Sequence, residues 1–259
     1  MNGVMIRMIF CDVDGTLLPH GDKNVCSDVF NTINRAVSSG IHFCIASGRC
    51  YSDLKRLFAP VLNDVTFICN DGSLMVKQDN ILFFSPLNKY QVACMSKTYK
   101  KDYKALIIYT KDSTYYISDT EEFIFAKKIL PEDVSSVDGE IFKVAFYKLS
   151  EKAKIKLNNL GVKSGILNKI YEDDLWTEYV TARTDKGTAA KTLQSIYGVL
   201  PSETAAFGDN LNDLNMLRCA QLSYAPKNAH PEIVRMCKFK TDSVNNEILN
   251  IILNQKDNH

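Results

Sequence analysis

A chain of 259 residues, 46% apolar and 24% charged, is long enough to bury a substantial core and has the make-up of a soluble globular protein. Its net charge of +1 gives no general electrostatic case for nucleic acid, and no stretch approaches the ~20 unbroken apolar residues that a membrane helix needs. Eight cysteines occur without a Cys-x-x-Cys pair, and the chain runs early into an apolar strand pattern rather than a cleavable leader, which favours reduced thiols and a cytoplasmic location. His20, His42, His230 and His259 are scattered and make no metal-binding pattern.

The first predicted element is a buried strand from Val4 to Cys11 that breaks at Asp12-Val13-Asp14-Gly15-Thr16, so acidic residues stand at a strand's carboxyl end. Val29, Phe30, Ile33 and Val37 then recur at helical spacing between Ser27 and Ser39, and Gly40 supplies a stop. A second strand, Ile41 to Ala46, breaks at Ser47-Gly48-Arg49; a helix through Leu57 and a strand from Thr66 to Cys69 follow. Cys11, Cys44 and Cys69 sit within these apolar runs, where a free cysteine behaves as a small hydrophobe.

From residue 79 to residue 183 the texture changes. Tyrosines and lysines become common, and Ala105 to Ile117 and Glu140 to Leu149 alternate as half-exposed antiparallel strands do. Strand–helix alternation then resumes with a helix from Gly187 to Tyr197, a strand from Thr204 to Phe207, a helix from Leu211 to Arg218 and a strand from Leu222 to Ala225. This pattern predicts an α/β fold: a doubly wound, Rossmann-like parallel sheet built from residues 1–78 and 184–259, with an α+β cap inserted at 79–183. Loops at the carboxyl ends of such strands are where ligands bind, and the most polar short motifs fall there.

Asp12 and Asp14 can meet at one site if the chain turns at Gly15, and paired acids suit either a hard cation or a division of labour between nucleophile and acid/base. Taken alone, the string also fits a calcium-type loop or a solvated turn. Ser47, Gly48 and Arg49 offer a hydroxyl and a relaxed backbone N–H beside a helix start, a form that suits an anion. Asp185-Lys186-Gly187 opens a helix with a lysine able to meet phosphate as a point charge. Gly208-Asp209-Asn210-Leu211-Asn212-Asp213 brings two more acids to a third strand end, where Asp209 suits Mg²⁺ and Asp213 can orient ligands from one turn further on.

These four segments, in this order, resemble the haloacid-dehalogenase-like hydrolase superfamily, in particular the Cof-type phosphatases with a large α+β cap. The resemblance implies that Asp12 attacks phosphorus, and that Asp14 protonates the leaving oxygen and later activates water against an aspartyl-phosphate. It implies Mg²⁺ held by the Asp12 carboxylate, the Asp14 backbone carbonyl and Asp209, with Asp213 in support. Ser47 and Lys186 would hold the phosphoryl group, joined by Thr16, Gly48 and Asn212, and the substrate would be a small phosphorylated metabolite such as a sugar phosphate. A mutase using the same intermediate and a catalytically silent metabolite-binding regulator are the alternatives.

The chain departs from the family pattern in three places. Asn70-Asp71-Gly72-Ser73 puts an aspartate where asparagine is expected, Ala225-Pro226-Lys227-Asn228-Ala229 replaces Ala-Met-Gly-Asn-Ala, and the usual Asp-Gly before the final helix is absent around Ser243 to Asn246. In the cap, Tyr109, Tyr115, Tyr116 and Trp176 are candidates for stacking on a substrate or for packing the module itself.

Overall fold

A computed structural model describes residues 5–119 and 126–256 of the chain. Val4, where the first strand was expected to begin, and His259 lie outside the described residues. The first part of the chain forms β1 (Met8–Asp12), α1 (Ser27–Ser38), β2 (His42–Ala46), α2 (Tyr51–Leu57), β3 (Thr66–Cys69), β4 (Leu74–Lys77) and β5 (Asn80–Phe84). The middle part adds α3 (Lys89–Thr98), β6 (Ala105–Tyr109), β7 (Thr114–Ser118), β8 (Lys127–Lys128), β9 (Lys143–Tyr147), α4 (Glu151–Leu157), β10 (Leu167–Glu172) and β11 (Trp176–Thr181). The chain then continues through α5 (Lys186–Tyr197), β12 (Thr204–Phe207), α6 (Leu214–Leu217), β13 (Leu222–Pro226), α7 (Pro231–Met236), β14 (Phe239–Thr241) and α8 (Val244–Lys256).

An eight-stranded sheet in the order β14-β13-β12-β1-β2-β3-β4-β5 forms the core. It is parallel from β14 to β3, and β4 and β5 extend it antiparallel. β1 shows why the sheet must be covered on both sides, since all five of its residues are buried. Ile9 and Cys11 join the core made with Val29 and Ile33 of α1 and Ile248 and Ile252 of α8. Met8 and Phe10 point the other way, into the cluster of Ala190 and Leu193 of α5, Leu217 of α6 and Ile233 of α7. The two-residue period of a strand thus feeds two separate cores. The buried thiols belong to this packing, and burial pushes the Cys44 thiol up to about 12.

Strand order reverses at β1: β2 and β3 lie on one side of it and β12 to β14 on the other. The crevice at the carboxyl end of β1 is therefore the switch point of a doubly wound sheet. Between β5 and α5 the chain builds a second sheet, β10-β11-β9-β6-β7-β8, antiparallel except where β7 meets β8. One face of this sheet packs with Val92 of α3 and Ala153 and Leu157 of α4. The fold is the expected α/β core with an α+β cap.

Several details differ from the sequence expectation. The cap was placed from residue 79, but β5 pairs with β4 and keeps the chain in the core sheet as far as Phe84. The helix expected over Leu211 to Arg218 opens with a 3-10 turn at Leu211–Asp213 and continues as the short α6, with Asp213 Oδ2 accepting from the backbone N–H of Asn210 at its start. The alternating stretch from Ala105 to Ile117 is a hairpin of two strands, β6 and β7.

Candidate active site

At the switch point β1 delivers Asp12, and the chain turns at once. Gly15 has φ +88°, and the turn is closed by Thr16 N and Leu18 N donating to the Val13 carbonyl, at 3.2 and 2.8 Å, and by Gly15 N donating to the Leu18 carbonyl at 2.7 Å. The Asp14 carbonyl takes no part in these bonds. A Cβ on Gly15 would lie 2.3 Å from a carboxylate oxygen of Asp209, so glycine is what lets the loop after β1 approach the loop after β12.

Lys186 opens α5, whose N-cap Asp185 accepts from Thr188 N at 2.6 Å. The Lys186 side chain is 1% exposed and its Nζ donates to Asp12 Oδ1 at 2.6 Å and to Asp213 Oδ1 at 2.7 Å. Burial alone would lower the Lys186 pKa, but the Asp12 and Asp213 carboxylates outweigh it and hold the group above its ordinary value as an ammonium. Asp12 moves upward as well, raised by burial and by Asp213 against the pull of Lys186. Asp209 is raised by burial and by Asp213, with His20 and Lys186 easing it. This cluster holds more negative charge than one lysine balances.

Such an excess suits a cation. Oxygens of Asp12, Asp209 and Asp213 lie within 4.8 Å of one another, and all are hard donors of the kind Mg²⁺ prefers. Asp213 is already committed: Oδ1 takes Lys186, and Oδ2 accepts the N–H groups of Asp209 and Asn210, each at 3.1 Å. It orients the loop. Among the described residues the Asp209 carboxylate makes only long contacts, from Thr16 Oγ1 at 3.3 Å and with His20 Nε2 at 3.4 Å, so Asp12 and Asp209 keep lone pairs free for a metal.

Asp14 lies apart from this cluster. Arg49 grips it in a two-pronged pair, Nε to Oδ2 at 2.8 Å and Nη2 to Oδ1 at 2.6 Å, and that hydrogen bonding raises the Arg49 pKa. Ser47 is buried, and its Oγ accepts from Arg49 N at 3.1 Å, which leaves the hydroxyl proton for an anion. Thr16 Oγ1 donates to Asp209 Oδ1. Asn212 lines the cleft and gives one of its two amide N–H groups to Asp71 Oδ1 at 2.9 Å, which leaves the second.

The cap closes the other side of a cleft of about 790 Å³ and contributes Tyr109, Tyr171, Lys143 and Glu178 to its wall. Lys143, on β9, is 4% exposed in its side chain and reaches Glu178 at 2.8 Å and Asp71 at 3.4 Å. Burial would raise the Asp71 carboxyl, but Lys143, Lys186 and the Asn212 amide bring it below its usual range. The aromatic candidates divide. Tyr115 is buried in the cap core, Trp176 packs on Tyr147 at 5.0 Å between centroids, and Tyr109 alone of the four lines the cleft.

Sequence reasoning missed Lys143, Glu178 and His20 as cleft residues and gave the Arg49 side chain no role of its own, although it placed Arg49 in the anion-binding turn. Asp71 was the available signal, since an acid at a position expected to be neutral and buried needs a cation beside it. The other departures lie elsewhere. Lys227 pairs with Asp242 at the surface, both side chains at least two-thirds exposed, and Ser243 Oγ accepts from Asn246 N at 3.3 Å, capping α8 where the family has Asp-Gly.

A sequence model described as haloacid dehalogenase-like hydrolase matches residues 9–251. The chain belongs to that family. Among curated relatives it is 24% identical to 5-amino-6-(5-phospho-D-ribitylamino)uracil phosphatase YbjI of Escherichia coli (strain K12), over 95% of each chain. It is 26% identical to YkrA of Bacillus subtilis (strain 168), a protein named as a candidate phosphatase, over 93% of this chain and 94% of that one. Among solved structures, BT1666 from Bacteroides thetaiotaomicron, described among phosphatases of the HAD superfamily, superposes with a TM-score of 0.81 at 25% identity, covering 98% of this chain and 96% of its own. The HAD subclass IIB sugar phosphatase BT4131 has the same fold, with a TM-score of 0.77 at 17% identity over 98% of this chain and all of that one. Membership makes this chain a hydrolase. Among the described residues no helix is long and apolar enough to cross a membrane.

Proposed function

We propose that this hydrolase is a Mg²⁺-dependent phosphatase of small phosphorylated metabolites, working through a phosphate ester formed on Asp12. The observation that carries the reading is the buried contact of Asp12 Oδ1 with Lys186 Nζ, 2.6 Å, beside Asp209 at the end of β1. A carboxylate attacking a phosphate must approach another anion, and this arrangement supplies a fixed cation and room for a second.

The chain's own groups then have distinct tasks. An Asp12 oxygen attacks phosphorus, and the bond from phosphorus to the substrate oxygen breaks. Asp14, once freed from its pair with Arg49 and protonated, gives its proton to that departing oxygen. In the second half Asp14 takes a proton from water as the water attacks phosphorus, which breaks the bond to Asp12 and releases inorganic phosphate. Ser47 and Lys186 hold the transferring oxygens, and the cap excludes bulk water. Mg²⁺, held by the Asp12 carboxylate, the Asp14 carbonyl and Asp209 with Asp213 in support, would offset charge between nucleophile and phosphate.

The cleft favours a polar leaving group larger than a single small alcohol, because Tyr109, Tyr171 and Glu178 stand on the cap side of its volume. Sugar phosphates fit this description, as does the ribityl-pyrimidine phosphate for which YbjI is named. The test is phosphate release from a panel containing both kinds of ester, with Mg²⁺ or excess chelator, in wild type and Asp12→Asn. Release that needs the metal and Asp12 is expected. Release that survives chelator or Asp12→Asn would overturn the reading, and absence of release with exchange of phosphate between two sugar hydroxyls would favour a mutase.

A further inference from the structure

The two edges of the core sheet are finished differently. β14 spans only Phe239–Thr241, with Lys240 at its centre and Lys238 just before it. Shortness and lysines are the usual means of keeping an edge from pairing with another chain. β5, at the opposite edge, reads Asn80-Ile81-Leu82-Phe83-Phe84 and has neither charge nor proline. Its four apolar residues are 47%, 37%, 39% and 54% exposed in that order. Side chains along a strand alternate between its faces, so four apolar residues in a row make this edge apolar above and below, as strands in the middle of a sheet are. Among the described residues, no other large exposed apolar side chains stand next to one another in the chain. None of the four lines the cleft, so the catalytic groups do not account for them.

An open strand edge presents backbone N–H and C=O groups that another strand can take. We propose that β5 is the two-fold interface of a homodimer, lying antiparallel to β5 of a second copy and joining the two core sheets into one. Three observations favour a copy of this chain as the occupant. An uncharged apolar strand is complementary to itself, so one patch serves both partners, as a two-fold contact requires. The net charge of +1 sets no general repulsion between copies. The four residues leave about 350 Å² of largely apolar surface open per copy, taking ~200 Å² for each when fully exposed. With the strand backbones, two copies therefore approach the ~1,000 Å² at which specific interfaces begin. An interface of that size gives a reversible dimer with a Kd of roughly micromolar order. The register between β4 and β5 shifts at Met75 and Val76, and such a bulge bends the edge, so side-chain burial contributes more to the contact than a long ladder of hydrogen bonds.

Sedimentation velocity of the whole chain across a concentration series centred on the micromolar range tests this, with hydrogen exchange at the lowest and highest concentrations. The average mass should rise from one chain toward two and stop there, and amide protection over residues 80–84 should grow with it. Leu82 is the middle residue of β5, so Leu82→Lys brings like charges together across the axis. It should raise Kd by at least about tenfold while the circular dichroism spectrum of the dilute protein is unchanged. An equimolar mixture of Leu82→Lys and Leu82→Glu should recover the dimer that neither variant forms alone, because opposite charges then meet where like charges had.

A single chain at every concentration would overturn the proposal and leave the edge to a strand from a different protein. Species that keep growing past two copies would overturn it as well, because a closed two-fold contact does not propagate. A dimer that gains protection elsewhere, or that persists unchanged in Leu82→Lys, would put the interface on another face and reject β5. Should Leu82→Lys fail to fold, Phe84→Lys carries the test, since Phe84 is the most exposed of the four. Hydrogen exchange on the wild type locates the contact without any substitution.

Discussion

The two walls of the cleft are built on different logic. On the core side, Asp12 ends β1, Lys186 opens α5, and Asp209 and Asp213 follow β12; the three acids lie in short polar motifs directly after apolar runs. On the cap side, Lys143 opens β9 and Glu178 lies within β11; the two pair with each other, and Lys143 also reaches Asp71 across the domain boundary. The core wall carries its function in local sequence. The cap wall acquires function only when the two sheets face one another.

The sharpest way to break this comparison is to remove the nucleophile. Asp12→Asn should abolish turnover, with a fall in kcat of at least about three orders of magnitude, while the fold is kept because the amide is nearly isosteric. Phosphate-release assays on protein verified by circular dichroism would check it. Residual activity within tenfold of wild type would mean that Asp12 is not the group attacked. Lys186→Met should come next, at about 10²–10³ in kcat. It removes the ammonium shared by Asp12 and Asp213 and leaves two buried carboxylates facing each other, so a loss of thermal stability should accompany the kinetic one.

The legibility of each wall follows from the range of the forces that make it. β1 could be placed because its buried residues form one uninterrupted apolar run, and Asp12 because a carboxylate directly after such a run has no structural reason to be there. Lys143 was illegible for the opposite reason. Phe142-Lys143-Val144-Ala145-Phe146 alternates, so Lys143 reads as the solvent side of a half-exposed strand, and cap docking is what buries it. Arg49 was similarly ambiguous, since an arginine at the start of a helix is as often solvated as engaged. The β4–β5 hairpin escaped because Ile81 to Phe84 are exposed in spite of being apolar, so the run looked like the beginning of a new module rather than an edge of the old sheet.

Gly15 sharpens the comparison at a smaller scale, because the core wall also depends on a backbone approach. Gly15→Ala adds a methyl group 2.3 Å from Asp209 at a positive φ, so it should displace the metal-facing carboxylate more than it disturbs Lys186. The expected result is a tenfold or greater rise, roughly, in the Mg²⁺ concentration needed for half-maximal activity, on the scale at which altered support of a metal ligand is felt, with a smaller change in kcat at saturating metal. A Mg²⁺ titration of activity reads both, and an unchanged half-point would show that the close approach of the two loops does not set the metal site.

The smallest effect belongs to Asp71, the residue that joins the two walls. Asp71→Asn leaves Lys143 with Glu178 and the Gly48 carbonyl, so the loss at neutral pH should be about 1–3 kcal/mol rather than the larger penalty of a stranded buried charge. Its pH dependence has a definite sign. The Asp71 carboxyl is held below its ordinary value in the folded protein, so its contribution is fully present above the unfolded pKa of about 4 and is lost as pH falls through the folded value. The gap in stability between wild type and Asp71→Asn should therefore be widest at neutral pH and close on acidification below that unfolded pKa. Thermal melts of both proteins from neutral to acid pH would show the convergence. A gap that stayed constant would mean that Asp71 is not ionised beside Lys143, and that the cap rests on the core through Glu178 and Gly48 alone.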